Sequence, residues 1–305
     1  MLDQKYYLKL NKDGRLFQQS EIILGVCYNP SEDSLKASLF YDDRLKHTTS
    51  FEQNYLDKLI TFYIDQLIHL YDRHSKEEFA LRFSGVFGNL KGDLMEKICC
   101  KTLYNFFKNE FLNEIKKRSV TPINQLILPK GYCLSLKREK HKDIDYHIYL
   151  SRNNKTITEF DYAVKINGKN PELLLFEIKA GRLNQNAKYS NLINSLISIV
   201  KNSKYYIKYI FFVPSNFTKD YPDFVKNYMQ EVQKKVRETK KGKKRNKLLI
   251  SINPIYVYVN SEPYDVDAFV WLLLQNKFKD DFKKLNYVRK AEDCYKQFCN
   301  SQANR

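Results

Sequence analysis

The stretch that most constrains this chain is LLLFEIK, residues 173–179. Residues 173–176 form an uninterrupted apolar run suited to a buried strand, and buried strands rarely carry charge without a reason. Here the run ends in two charges, Glu177 and Lys179, two positions apart. Strand side chains alternate between faces, so both share one face at the strand's end. Upstream, residues 157–166 read as a further strand, joined to the first by a polar turn at 167–171. A hairpin there folds Asp161 back beside the charged strand end. Two carboxylates and an ammonium then converge at a sheet rim. Such an oxygen-rich site suits Mg²⁺, and a lysine beside it can orient a water molecule and offset charge on a phosphate. The plainer alternative is an ion-pair cluster at a sheet edge, where charges discourage edge-to-edge pairing.

The rest of the pattern predicts an α/β fold. Residues 21–28 and 35–41 read as strands. Residues 51–73 carry Leu56, Leu59, Ile60, Tyr63, Ile64, Leu67, Ile68 and Tyr71 at helical spacing. The glycine-bearing stretch 84–92 reads as a boundary, followed by a long helix from Asp93, as N-cap, to residue 117. Strands are expected at 132–136, 144–150, 157–166, 173–179, 206–213 and 248–259. Helices are expected at 185–200, 222–237 and 266–274. That order predicts a central mixed β-sheet flanked by helices. Three regions follow: an N-terminal β-rich and helical extension (1–90), a main domain (91–276) and a C-terminal tail (277–305).

On the long helix, Cys99, Cys100, Leu103, Phe106 and Phe107 fall on one arc, and Lys97, Lys101 and Lys108 on the other. Glu96 precedes members of the apolar arc by helical intervals, so it points inward. An inward carboxylate needs a partner, and a metal ion is one. The alternative is a solvated glutamate in the first turn, favoured by the helix dipole.

With Asp161, Glu177 and Lys179 in strand context and a helix on either side, residues 91–260 resemble the PD-(D/E)xK nuclease superfamily, which has the restriction-endonuclease-like fold. Phe160 stands where the motif has proline. The resemblance implies a metal-dependent deoxyribonuclease. Asp161, Glu177 and Glu96 would hold Mg²⁺, or Mn²⁺ in its place, and Lys179 would position the nucleophile. Hydrolysis would leave a 5′-phosphate and a 3′-hydroxyl. Restriction or other phage defence, recombination and repair all use this fold, and fold does not choose among them. Gln185 and Tyr189 are similar to the Gln-x-x-x-Tyr pair of RecB-type members, with a polar helix opening as the alternative. Arg182 and Lys188 lie near the same rim as candidate phosphate contacts.

The formal net charge of +17 attracts polyanions, and aromatics at 14% of the chain offer stacking surfaces for bases. Nucleic acid, with DNA favoured over RNA, is the expected partner. The run KKVRETKKGKKRNK, with Lys240, Lys241, Lys243, Lys244 and Arg245, reads as a loop that grips phosphates or is merely solvated. A non-catalytic nucleic-acid-binding protein on a nuclease-like scaffold is the competing class. A protein partner or a second copy is expected to dock, if anywhere, on residues 1–90. No apolar run reaches membrane-spanning length and no signal-peptide core opens the chain, so a cytoplasmic, even nucleoid-associated, protein is expected.

His141, Asp143, Asp145 and His147 alternate, which fits the exposed side of a strand; the alternative is a site for zinc or a similar ion. The cysteines show no CxxC spacing and read as reduced thiols. No GxxxxGK[ST] or GxGxxG occurs, which leaves no evident nucleotide-phosphate loop.

Overall fold

The computed structural model describes residues 22–41, 44–73, 76–110, 119–137, 147–181, 187–216 and 248–281. The chain is α/β. Among the described residues its larger sheet has nine strands. In spatial order these are β3 (Arg44–Phe51), β2 (Ser34–Tyr41), β1 (Ile22–Asn29), β12 (Leu248–Val259), β11 (Tyr206–Pro214), β10 (Glu172–Ile178), β9 (Tyr162–Ile166) and β4 (Val120–Pro122), with β13 (Glu262–Tyr264) on β12. The four central strands β1, β12, β11 and β10 run parallel, and antiparallel pairs flank them, so the sheet is mixed. A second, antiparallel sheet joins β5 (Gln125–Ile127), β6 (Tyr132–Lys137), β7 (His147–Arg152) and β8 (Lys155–Phe160).

Helices cover both faces of the large sheet. One face buries Leu174, Phe176, Ile210 and Phe212 under α1 (Asp57–Arg73), α2 (Lys76–Asn105) and α4 (Val266–Asp281). The other buries Leu173, Leu175, Tyr209 and Phe211 against α3 (Ala187–Asn202) and the small sheet. The apolar run of β10 is therefore covered on both sides, as a central parallel strand requires. Among the described residues no helix is long and apolar enough to cross a membrane.

Several expectations need correction. The stretch 84–92 is not a boundary: α2 runs through it unbroken, and residue 90 lies in mid-helix. Phe79, Phe83, Phe87, Leu90, Leu94 and Ile98 recur every three or four residues and are all buried. That stripe outweighs the poor helix propensity of three glycines. Phe83 stacks on Phe87 at 5.6 Å, and both meet Trp271 of α4 edge-on. Asp93 is accordingly no N-cap; it is buried in mid-helix and accepts a 2.5 Å hydrogen bond from the Tyr63 hydroxyl of α1. The predicted strand 157–166 divides at Asp161 between the two sheets. Strand β3 falls in the β-rich N-terminal extension, and α4 continues to Asp281, past the expected start of the tail. The helix expected at 222–237 lies outside the described residues.

A Cβ added at Gly85 or Gly88 meets no atom within 4 Å. Gly85→Ala and Gly88→Ala should each stabilise the protein by about 0.5–1 kcal/mol. Urea denaturation of the single variants measures this, and a lower midpoint would show that the helix does not run as described.

Candidate metal centre at a sheet corner

One continuous β-run builds the site by changing partners. Up to Phe160 it pairs with β7, with Ile148 opposite Phe160. From Tyr162 it pairs with β10, with Tyr162 opposite Phe176. Asp161 is the residue between, where the strand turns from one sheet into the other. Extending each register by one residue sets Asp161 opposite His147 on one side and opposite Glu177 on the other. Directly opposed residues share a face with Cβ atoms about 5 Å apart, so the topology itself gathers these three side chains.

Asp161 is buried, and its Oδ2 accepts a 2.5 Å hydrogen bond from the Ile178 amide. Burial, and next the neighbouring Glu177 charge, push its carboxyl up to about 7, against the pull of Lys179 and the Ile178 amide. Two acids facing each other across a ladder repel, and low dielectric strengthens that repulsion. Glu177 is held by two donors. The Lys179 ammonium lies 2.5 Å from Oε1, and the Tyr209 hydroxyl donates to Oε2 at 3.3 Å. Tyr209 is fully buried on β11, with the Phe160 ring edge-on at 5.6 Å. Lys179 is a third exposed and thus reaches solvent from the rim.

Helix α2 brings Glu96 to the same corner. Its Oε1 lies 3.2 Å from His147 Nε2. One ligand atom each from Glu96, His147 and Asp161 can be chosen so that all lie within 4.8 Å of one another. Glu177 stands beside this group, engaged by Lys179 and Tyr209. Cys100 donates from Sγ to the Asp161 carbonyl at 3.4 Å, tying α2 to the corner. The Cys99 and Cys100 thiols are pushed upward by burial first, with the Glu96 and Asp161 charges adding to it, so they stay protonated.

Of the residues singled out in the sequence, Asp161, Glu177, Lys179 and Glu96 meet at this corner. His147 does too, contrary to the expectation of an exposed strand face: only 6% of it is accessible. Its partners in the alternating motif, His141, Asp143 and Asp145, lie outside the described residues. So do Arg182, Gln185, Lys240, Lys241, Lys243, Lys244 and Arg245. Lys188 and Tyr189 belong to the first turn of α3, and their side chains are outside the description. Sequence reasoning missed Tyr209, which sits in an apolar strand and reads there as core. Comparison with protein-family models, with curated proteins and with solved structures finds no match to this chain.

The raised Asp161 carboxyl has a thermodynamic consequence in the absence of metal. Between about pH 4 and pH 7 the folded protein holds a proton that the unfolded chain has released, so stability falls as pH rises through that window. In EDTA, the melting temperature of the wild type should drop from pH 5 to pH 8 more than that of Asp161→Asn. Parallel profiles for the two proteins would contradict the burial of an ionisable group at the corner.

Proposed function

We propose that this chain is a divalent-metal-dependent nuclease that hydrolyses DNA phosphodiester bonds, with a restriction-endonuclease-like core of the PD-(D/E)xK type. The observation that carries the reading is the corner itself. A strand carrying Asp161 hairpins onto a strand ending in Glu177-x-Lys179, and a helix delivers Glu96 to the same point. A structural ion-pair cluster has no need to bury two opposed carboxylates, because each buried charge costs several kcal/mol unless a counter-charge offsets it, by order of magnitude. A cation is such a counter-charge.

Glu96 and Asp161 offer oxygens and His147 offers nitrogen, with one ligand atom from each lying within 4.8 Å of the others. They fit a divalent cation. Glu96, Asp161 and His147 would hold it directly, and Glu177 would take part through its side-chain oxygens from alongside. A bound ion would supply Lewis-acid stabilisation of charge on a phosphoryl oxygen. Lys179, at the solvent-facing rim, orients the attacking water and offsets charge on the scissile phosphate. Glu177 fixes the Lys179 ammonium in place, and Tyr209 fixes Glu177. Water oxygen bonds to phosphorus as the bond to the 3′-oxygen breaks, leaving a 5′-phosphate and a 3′-hydroxyl. Net charge of +17 draws the polyanionic substrate without choosing its sequence.

Plasmid, single-stranded DNA and RNA incubated with Mg²⁺, Mn²⁺ or EDTA test this. DNA should be cut only with metal. Lys179→Met should lower the rate about 10²–10³-fold, the usual cost of losing one electrostatic donor at a reacting centre. Glu177→Ala should abolish cleavage while circular dichroism stays unchanged. Binding without metal-dependent nicking would instead favour a non-catalytic nucleic-acid-binding protein, and cleavage of RNA alone would redirect the substrate.

A further inference from the structure

We propose that the corner site selects a first-row transition-metal dication over Mg²⁺, and that His147 is the ligand responsible. The inference rests on the nuclease reading for the corner being a working site, but it concerns which ion the site takes. Mg²⁺ is a hard ion that binds through one or two carboxylates and keeps its waters. Imidazole nitrogen is a softer donor that suits later first-row ions, and mixed nitrogen and carboxylate sites follow the Irving–Williams order. A site built for Mg²⁺ would spend its third position on oxygen. Here that position is His147.

Three observations support direct ligation. First, His147 is buried, its Nε2 faces Glu96, and its Nδ1 finds no hydrogen-bond partner among the described residues. Burying an imidazole with a ring nitrogen unsatisfied is unfavourable, so a histidine kept there has a reason outside packing. Second, the spacing fits a shared ion. Neighbouring ligands around an ion with bonds of about 2.1 Å lie about 3.0 Å apart in octahedral and about 3.4 Å apart in tetrahedral geometry. The Nε2 to Oε1 separation is 3.2 Å. Third, the register that sets His147 opposite Asp161 makes the placement a property of the β7–β8 ladder and not of one rotamer.

Titration of full-length protein with Mn²⁺, followed by loss of the free-ion electron paramagnetic resonance signal, reads binding without reference to cleavage. Mn²⁺ should bind about tenfold or more tightly than Mg²⁺, measured by Mg²⁺ competition. His147→Ala should weaken Mn²⁺ binding about tenfold or more and leave Mg²⁺ affinity nearly unchanged. His147→Asp, which restores an all-oxygen set, should narrow the Mn²⁺/Mg²⁺ ratio, and decides the matter if the alanine variant misfolds. Equal affinities in the wild type, an unchanged ratio in the variants, or no Mn²⁺ binding would each overturn the inference and leave a His147–Glu96 ion pair. Selective Mn²⁺ binding by a protein that cuts no DNA would sink the nuclease reading alone. Mg²⁺-preferred cleavage with no Mn²⁺ selectivity would sink only the inference.

Discussion

Everything at the corner follows from one electrostatic constraint: Asp161 and Glu177 face each other across an antiparallel ladder, both buried. Like charges in that position repel, and little water is present to screen them. The protein offsets the conflict only in part. Lys179 and Tyr209 engage Glu177, while among the described residues the Ile178 amide reaches Asp161 Oδ2. Burial first, and the Glu177 charge next, keep the Asp161 carboxyl raised. Titratable groups perturbed in this way cluster at functional sites, though structural ion-pair networks perturb them too.

The surrounding architecture supplies rigidity where the acids need it. Phe176 packs on Phe107 and Phe212, and Phe160 on Tyr209, so both faces of the acid-bearing hairpin are braced by aromatic rings. Helix α2 is anchored along its length by the buried phenylalanine stripe and by the Tyr63–Asp93 hydrogen bond one turn before Glu96. Glu96 therefore meets the corner from a long, fixed lever. Ligands held on packed elements keep their geometry better than ligands on loops.

How much could be read in advance depended on whether a residue's partner was local. The LLLF run before Glu177 signalled a doubly covered strand, and the turn after residue 166 signalled the hairpin, so the approach of Asp161 to the charged strand end was legible. Glu96 was legible as an inward acid from its spacing to Cys99 and Leu103. Three glycines hid the first half of α2, because local propensity disfavours helix there and burial of Phe79, Phe83 and Phe87, the last two against Trp271, overrides it. Asp93 looked like a cap for the same reason. Tyr209 was indistinguishable from core, since its hydroxyl gains meaning only from Glu177 on the neighbouring strand.

By itself, the order of residues determined the alternation of strands and helices, the hairpin that doubles back onto the EIK strand, and the inward aim of the helical acid. Each of these depends on periodicity or turn chemistry within a few positions. Only the tertiary structure decided that the strand through residue 161 leaves one sheet for another, and that His147 of the second sheet thereby faces the acids instead of solvent. Pairing between distant strands depends on which apolar faces find each other, and no local pattern encodes that choice.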